Sequence, residues 1–215
     1  MLHSKIIVKG FKFYLYGSVN PWVLLANGDI EKIKTSDITL KAQVGKEIKY
    51  LKNGQEVTGR LISRSDNINY KRIFEMFTGE TSKGKVIHHM IEQQMTGFVG
   101  AMTEAFINNA RRLKGVPQGI INDVVHLSNI RKMWDTMYNT LRISIDELGM
   151  TDPQIVNSFI NFANYTDEFF EASFRYTDEI GEELTKEGLQ EFTENWVRNN
   201  GMREASERAI ENAIK

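Results

Sequence analysis

The first 64 residues alternate between short apolar runs and turn residues, a pattern typical of small antiparallel β structure. The segment Lys5–Tyr16 is rich in β-branched and aromatic residues, which favour strands. Asn27-Gly28-Asp29 and Asn53-Gly54 each separate two apolar runs, as the turns of β-hairpins do. The pattern therefore predicts five or six short strands in a small antiparallel sheet or barrel.

Beyond residue 94 the apolar positions recur with helical spacing instead. They predict a helix over Met95–Leu113, ended by the glycine and proline of Gly115-Val116-Pro117. Asn122-Asp123 is expected to cap a second helix that continues to about residue 142. Asp152 is expected to cap the next helix, with Pro153 at its first position, and further helices extend to the end of the chain. The predicted fold class is thus α+β, with a small antiparallel β region followed by a mainly helical domain and a helical C-terminal extension.

Composition excludes several kinds of site. The chain of 215 residues has no cysteine, which rules out disulfides, thiolate metal sites and a cysteine nucleophile. No apolar run approaches the roughly 18 residues that span a bilayer. The N-terminal residues lack the sustained apolar stretch and the small-residue cleavage site of a signal peptide, so we expect no signal peptide in this chain.

The net charge of −1 conceals a strong asymmetry along the chain. Residues 1–75 hold 13 Lys and Arg against 7 Asp and Glu, and residues 76–145 hold 8 against 5. Residues 146–215 hold 6 against 16. Such a distribution fits binding of a polyanion by the basic part. It fits equally an acidic tail that packs on a basic body.

Three of the four histidines lie in the window Lys83–Tyr138, where they indicate a candidate site. His88 and His89 end an apolar stretch, and His126 lies near the start of a predicted helix. Neutral imidazole binds metals and exchanges protons near neutral pH, so the three fit metal-assisted hydrolysis. The alternative is that they are ordinary polar residues of a helical domain.

Polar residues around these histidines suit the same chemistry. Glu92 is placed to accept the second ring N–H of a histidine and so to set its tautomer. Asn122, one turn before His126, is placed to hold substrate or water. Five basic residues nearby suit contacts with phosphate: Arg111, Arg112, Lys114, Arg131 and Lys132.

The runs VIHHMIEQQM and INNARRLKGVPQGIINDVVHLSNIRKMWDTMY resemble the HNH-type nuclease toxin domains of bacterial polymorphic toxins, including the Rhs-type toxins. In that family a His-His-x-x-Glu-Gln segment precedes a Leu-x-Gly-[Ile/Val]-Pro stretch and a His-Leu-Ser-x-Ile-Arg-Lys-x-Trp helix. The resemblance extends from about Asn69 to Gly181. It divides the chain into a β-rich docking or pre-toxin region (1–66), a nuclease domain (67–181) and an acidic helical extension (182–215).

The resemblance implies a ββα-metal finger in which His88 and His126 bind a divalent metal, namely Mg, Mn, Ni or Zn. His89 would be the general base, with Glu92 and Asn122 completing the catalytic set. The implied activity is metal-dependent cleavage of nucleic acid, DNA rather than RNA, by an antibacterial effector. Such an effector is delivered by a secretion apparatus, acts in the cytoplasm of the target cell and is neutralised in the producer by a cognate immunity protein.

Three departures from the family pattern support an alternative function. Arg112 stands where the family commonly has asparagine, and Ile130 stands four residues after His126, where a partner histidine would be. Ile107-Asn108 also replaces the Ile-His of the family. These changes fit a catalytically degenerate relative that serves as a structural or protein-binding module.

Overall fold

The computed structural model describes residues 5–8, 11–14, 21–33, 43–63, 68–99 and 109–215. The chain forms two units. The first contains residues 1–81 and 108–111, and the second contains residues 82–107 and 112–215. The segment boundaries suggested by the resemblance, after residues 66 and 181, both fall within these units.

The first unit is mainly antiparallel β structure. Strands β1 (Lys5–Val8) and β2 (Phe11–Tyr14) pair with each other. A second sheet has the order β4-β3-β6-β5 and is followed in the chain by helix α1 (Tyr70–Thr78). Its strands are β3 (Trp22–Leu24), β4 (Ile30–Lys32), β5 (Glu47–Lys52) and β6 (Gln55–Ser63). The two predicted hairpin turns join β3 to β4 and β5 to β6.

Side-chain alternation and one glycine shape this sheet. Ile48 and Tyr50 of β5 are buried while their neighbours are exposed, as expected for a strand with one face on the core. The Tyr50 hydroxyl donates to Glu31 Oε2 at 2.9 Å, which joins the two strands at opposite ends of the strand order and shows that the sheet curves. At Gly59 an added Cβ would lie 2.3 Å from Val23 Cγ1, so only glycine allows this close approach.

The second unit begins with an antiparallel pair and continues as helices. Strands β7 (Lys85–His89) and β8 (Leu113–Pro117) pair so that His88 lies opposite Lys114. A 3₁₀ turn (Gln93–Met95) and the short helix α2 (Thr96–Val99) follow β7, and a 3₁₀ turn (Ala110–Arg112) precedes β8. The segment Asn122–Ile130, called the π segment below, has π-helical geometry. It continues into α3 (Arg131–Leu148), α4 (Asp152–Ile180), a 3₁₀ turn (Gly181–Glu183), α5 (Lys186–Asn200) and α6 (Met202–Ile214).

This arrangement confirms the predicted α+β class, with small antiparallel sheets followed by a mainly helical region. The helices enclose an aromatic core because α3 and α4 both carry large apolar residues at helical spacing. Its largest members are completely or almost completely buried: Trp134, Phe159, Phe162, Phe169 and Phe170. Helix α4 packs on both α5 and α6, so the acidic C-terminal helices belong to this core.

The structure corrects three local predictions. The predicted helix over Met95–Leu113 is wrong at its C-terminal end, because Ala110–Arg112 form a 3₁₀ turn and Leu113 begins β8; residues 100–108 lie outside the described residues. Pairing with β7 therefore overrides the local helical pattern. Asn122 lies inside a helical stretch rather than capping it. Thr151, not Asp152, caps α4, through a capping box with Gln154.

Candidate functional site

Two predicted site residues lie in direct contact in the second unit. The rings of His88 and His126 are edge-on, with centroids 4.3 Å apart and planes 62° from parallel. His88 comes from β7, where pairing with β8 turns its side chain inward and leaves only 6% of it exposed. His126 comes from the π segment, and Phe170 of α4 packs against His88 with a centroid distance of 5.4 Å.

Asn122 fixes the protonation of the His126 ring. The two side chains meet with Nδ1 of His126 3.0 Å from Oδ1 of Asn122. An amide oxygen can only accept a hydrogen bond, so the imidazole proton lies on Nδ1. The Nε2 atom of His126 consequently carries a lone pair, which is the state needed to bind a metal.

Burial keeps both rings neutral. It is the main cause that holds the pKa of His88 well below its usual value, and the neighbouring His126, His89 and Lys114 lower this pKa further. Burial, followed by the charge of Arg131, also lowers the pKa of His126. The Nε2 atom of His88 is buried without a hydrogen-bond partner in the described part of the chain, and such orphaned polar atoms point to a function or a ligand.

His89 is the last residue of β7 and is half-buried. Burial lowers its pKa to about 4, so the ring is neutral at pH 7 and able to accept a proton. Beyond the end of β7 the Met90 N–H donates to Arg112 O at 2.8 Å, so the pairing with the segment before β8 continues for one more residue.

Glu92 faces α3. Burial and the nearby Asp135 raise the pKa of its carboxyl to about 7, while Arg131 and Tyr138 oppose this shift. Arg131, Asp135 and Tyr138 are spaced four and three residues apart, which puts them on one face of α3. The structure thus surrounds Glu92 with α3 side chains, whereas the sequence suggested a histidine ring as its partner.

The five basic residues have different environments. Lys114 is already paired, because its ammonium group bonds to Asp167 and, at 2.7 Å, to Glu171 of α4 and lies over the ring of Phe170. At this position acidic residues of the C-terminal region do pack on the basic part. Arg131 and Lys132 are exposed at the start of α3 and Arg112 is half-buried. Arg111 is also exposed and belongs to the first unit.

The described residues offer a metal at most two adjacent imidazole ligands in this region. Among the described residues, no group of three or more His, Asp or Glu side chains is arranged around one metal position. His88 and His126 nevertheless offer two adjacent neutral imidazoles, and the orphaned Nε2 of His88 suits a ligand atom. Ile130, at the position of a possible third ligand, is fully buried in the core.

Sequence reasoning missed two contributors to this site. Phe170 lies more than 80 residues from His88 in the chain, and its apolar spacing indicated only core packing. Asn129, within the His-Leu-Ser-Asn-Ile motif itself, bonds the π segment through its side chain. A polar residue beside the apolar Ile130 was the one available signal, and an exposed helix face explains such a residue equally well.

Comparisons with family models, curated proteins and solved structures found no match for this chain. Within the described ranges, no helix has both the length and the apolar character needed to cross a lipid bilayer. Any function assigned to the chain must therefore be argued from the site itself.

Proposed function

We propose that this protein is a metal-dependent nuclease that acts as an antibacterial toxin. Its substrate is DNA rather than RNA, and it hydrolyses the phosphodiester bonds. The observation that carries the proposal is the contact between the buried imidazole of His88 and the half-buried imidazole of His126, both of which are held neutral. Among the described residues the buried Nε2 atom of His88 has no hydrogen-bond partner, which is costly unless a ligand uses this atom. A divalent metal is the ligand that suits neutral imidazole best among those consistent with the sequence pattern.

His88 and His126 would hold the ion, whether Mg, Mn, Ni or Zn. The bound metal would stabilise negative charge on the phosphate and on the leaving oxygen. His89 takes a proton from the attacking water, a role for which its neutral ring is suited. Asn122 keeps the His126 proton on Nδ1, and Glu92, with a pKa of about 7, is able to give or take a proton near neutral pH.

The exposed Arg131 and Lys132, which follow the π segment directly, are the best candidates for contacts with nucleic-acid phosphates. Lys114 is a weaker candidate since two carboxylates already neutralise it. The toxin role adds a cognate immunity protein and a delivery apparatus as partners, and the cytoplasm of the target cell as the place of action. The β-rich first unit would then serve docking or delivery.

A second candidate function is a non-enzymatic structural or protein-binding module on the same fold. The buried Ile130 favours it, since this position offers no third ligand. Arg112 in place of the family asparagine points the same way.

Nicking of supercoiled DNA, with each of the four metals and with a chelator, tests the proposal. We expect His89→Ala to lower the rate by about 10²–10⁴-fold, the usual contribution of a positioned general base. His3→Ala, which alters the fourth histidine, is the matched control and should keep the rate of the parent. Equal rates for the parent and His89→Ala would refute the mechanism, and a parent that is inactive with every metal would favour the binding module.

A further inference from the structure

The π segment is a wide helical turn that needs support from outside the backbone. At its end the Arg131 N–H bonds to the carbonyl of His126, five residues back, and to the carbonyl of Ser128, instead of the carbonyl four residues back as in an α-helix. Such turns are rare and occur often at functional sites. His126 lies in the middle of this one, so the direction of its ring depends on the wide turn being kept.

Asn129 supplies this support. Its Nδ2 group donates to Val124 O at 2.7 Å, which joins a residue two positions before His126 to one three positions after it. The same group donates to Oγ1 of Thr193 on α5 at 3.3 Å. One amide group therefore links the wide turn to a neighbouring helix.

Thr193 is built to receive this bond. It is fully buried, and its hydroxyl donates its only proton to Gln190 O at 2.9 Å. The lone pairs of Oγ1 are left to accept, which matches the amide donor of Asn129. The hydroxyl of a threonine in a helix can donate its hydrogen bond to a carbonyl of the preceding turn. The bond that Thr193 accepts from Asn129 is therefore an additional hydrogen bond between two helical segments.

We propose that Asn129 and Thr193 are positioning residues that hold the π turn so that His126 meets His88. Relaxation of this turn to α-helical geometry would rotate His126 about the helix axis relative to the buried residues Val125 and Ile130, which are anchored in the core. The His126 ring would then leave the ring of His88. The consequence for metal binding rests on the proposed function, whereas the placement of the ring does not.

The chain offers a closely matched set of variants. Thr193→Val removes the hydroxyl at nearly constant volume, and Thr193→Ser restores it. Thr166→Val is the control. Thr166, on α4, is also buried, and its hydroxyl also donates to a carbonyl three residues back at 2.9 Å, but it does not bond to Asn129. Asn129→Leu removes both donor bonds from the π segment.

The direct measurement is the NMR cross-relaxation between the ring protons of His88 and His126 in the full, metal-free chain. Ring centroids 4.3 Å apart give a clear signal in the parent. We expect Asn129→Leu and Thr193→Val to lose it, and Thr193→Ser and Thr166→Val to keep it. A signal that persists in a folded Thr193→Val overturns the proposal, even if Asn129→Leu fails to fold.

Calorimetric titration with Ni²⁺ gives the second measurement. Thr193→Val is expected to bind Ni²⁺ about tenfold more weakly than the parent, at the lower end of the range for residues that orient metal ligands. Thr193→Ser should recover the affinity and Thr166→Val should never lose it. If the cross-relaxation signal is lost and kept as expected but the parent binds no Ni²⁺, the positioning role stands and the proposed metal site fails. If the parent and Thr193→Val bind Ni²⁺ with equal affinity, the positioning role is overturned.

Discussion

Glu92→Gln should stabilise the protein in a pH-dependent way. The carboxyl of Glu92 ionises only near pH 7 in the folded chain, against an ordinary value of 4.5, mainly because it is buried and secondly because Asp135 lies nearby. Between these values the folded state holds a proton that the unfolded state releases. The contribution of Glu92 to the free energy of unfolding therefore falls as the pH rises from about 4.5 to 7. Above pH 7 this loss of stability stays constant.

The size of the effect follows from the shift. Each pKa unit is worth about 1.4 kcal/mol, so a change from 4.5 to about 7 corresponds to at most ~3.5 kcal/mol. Glu92 is only half-buried, and solvent screening reduces this to about 1–2 kcal/mol. Glutamine has nearly the same shape and never ionises, so the variant escapes the penalty.

Urea denaturation of parent and variant at a series of pH values measures the difference. We expect Glu92→Gln to be more stable than the parent by about 1–2 kcal/mol at pH 8, with the two equal at pH 4.5. Glu194→Gln, which replaces an exposed carboxyl on α5, is the control, and its stability at pH 8 should equal that of the parent. A variant that is less stable than the parent at pH 8 would show that the ionised carboxylate has a favourable partner and would refute the reasoning.

Gly59→Ala should destabilise the first unit by about 1–3 kcal/mol, because its Cβ would overlap Val23. An added Cβ at Gly97 would meet no atom within 4 Å, so Gly97→Ala should leave the free energy of unfolding unchanged in the same denaturation experiment. Equal losses of stability in the two variants would contradict the packing argument. Lys132→Ala should weaken DNA binding and reduce the slope of log affinity against log salt by about 1, the effect of losing one phosphate contact. Lys114→Met should leave that slope unchanged, and a lowered slope would show that Lys114 contacts phosphate despite its bonds to Asp167 and Glu171.

Local sequence determined those parts of the structure whose causes are local. Asn53-Gly54 forms the turn between β5 and β6 because asparagine and glycine accept the positive φ angles that this turn needs, 52° and 81°. Thr185 caps α5 because it directly precedes an amphipathic stretch, and its hydroxyl oxygen accepts from the Gly188 N–H. The end of β7 at His89 also follows the expected pattern.

Other features depended on residues distant in the chain. The sequence around Leu113 favours a helix, yet β8 forms because pairing with β7 satisfies its backbone hydrogen bonds. Lys114 looked available for phosphate, but α4 brings Asp167 and Glu171 to its ammonium group from more than 50 residues away.

The candidate site shows the same division. The residue types and spacing of His88, His89 and His126 sufficed to suggest metal-assisted chemistry. The contact between the His88 and His126 rings, the neutral state imposed by burial and the wide turn that carries His126 arise only when β7, the π segment and α4 pack together. Burial and ring orientation are properties of the assembled core, and a periodic pattern records only which side of each element faces that core.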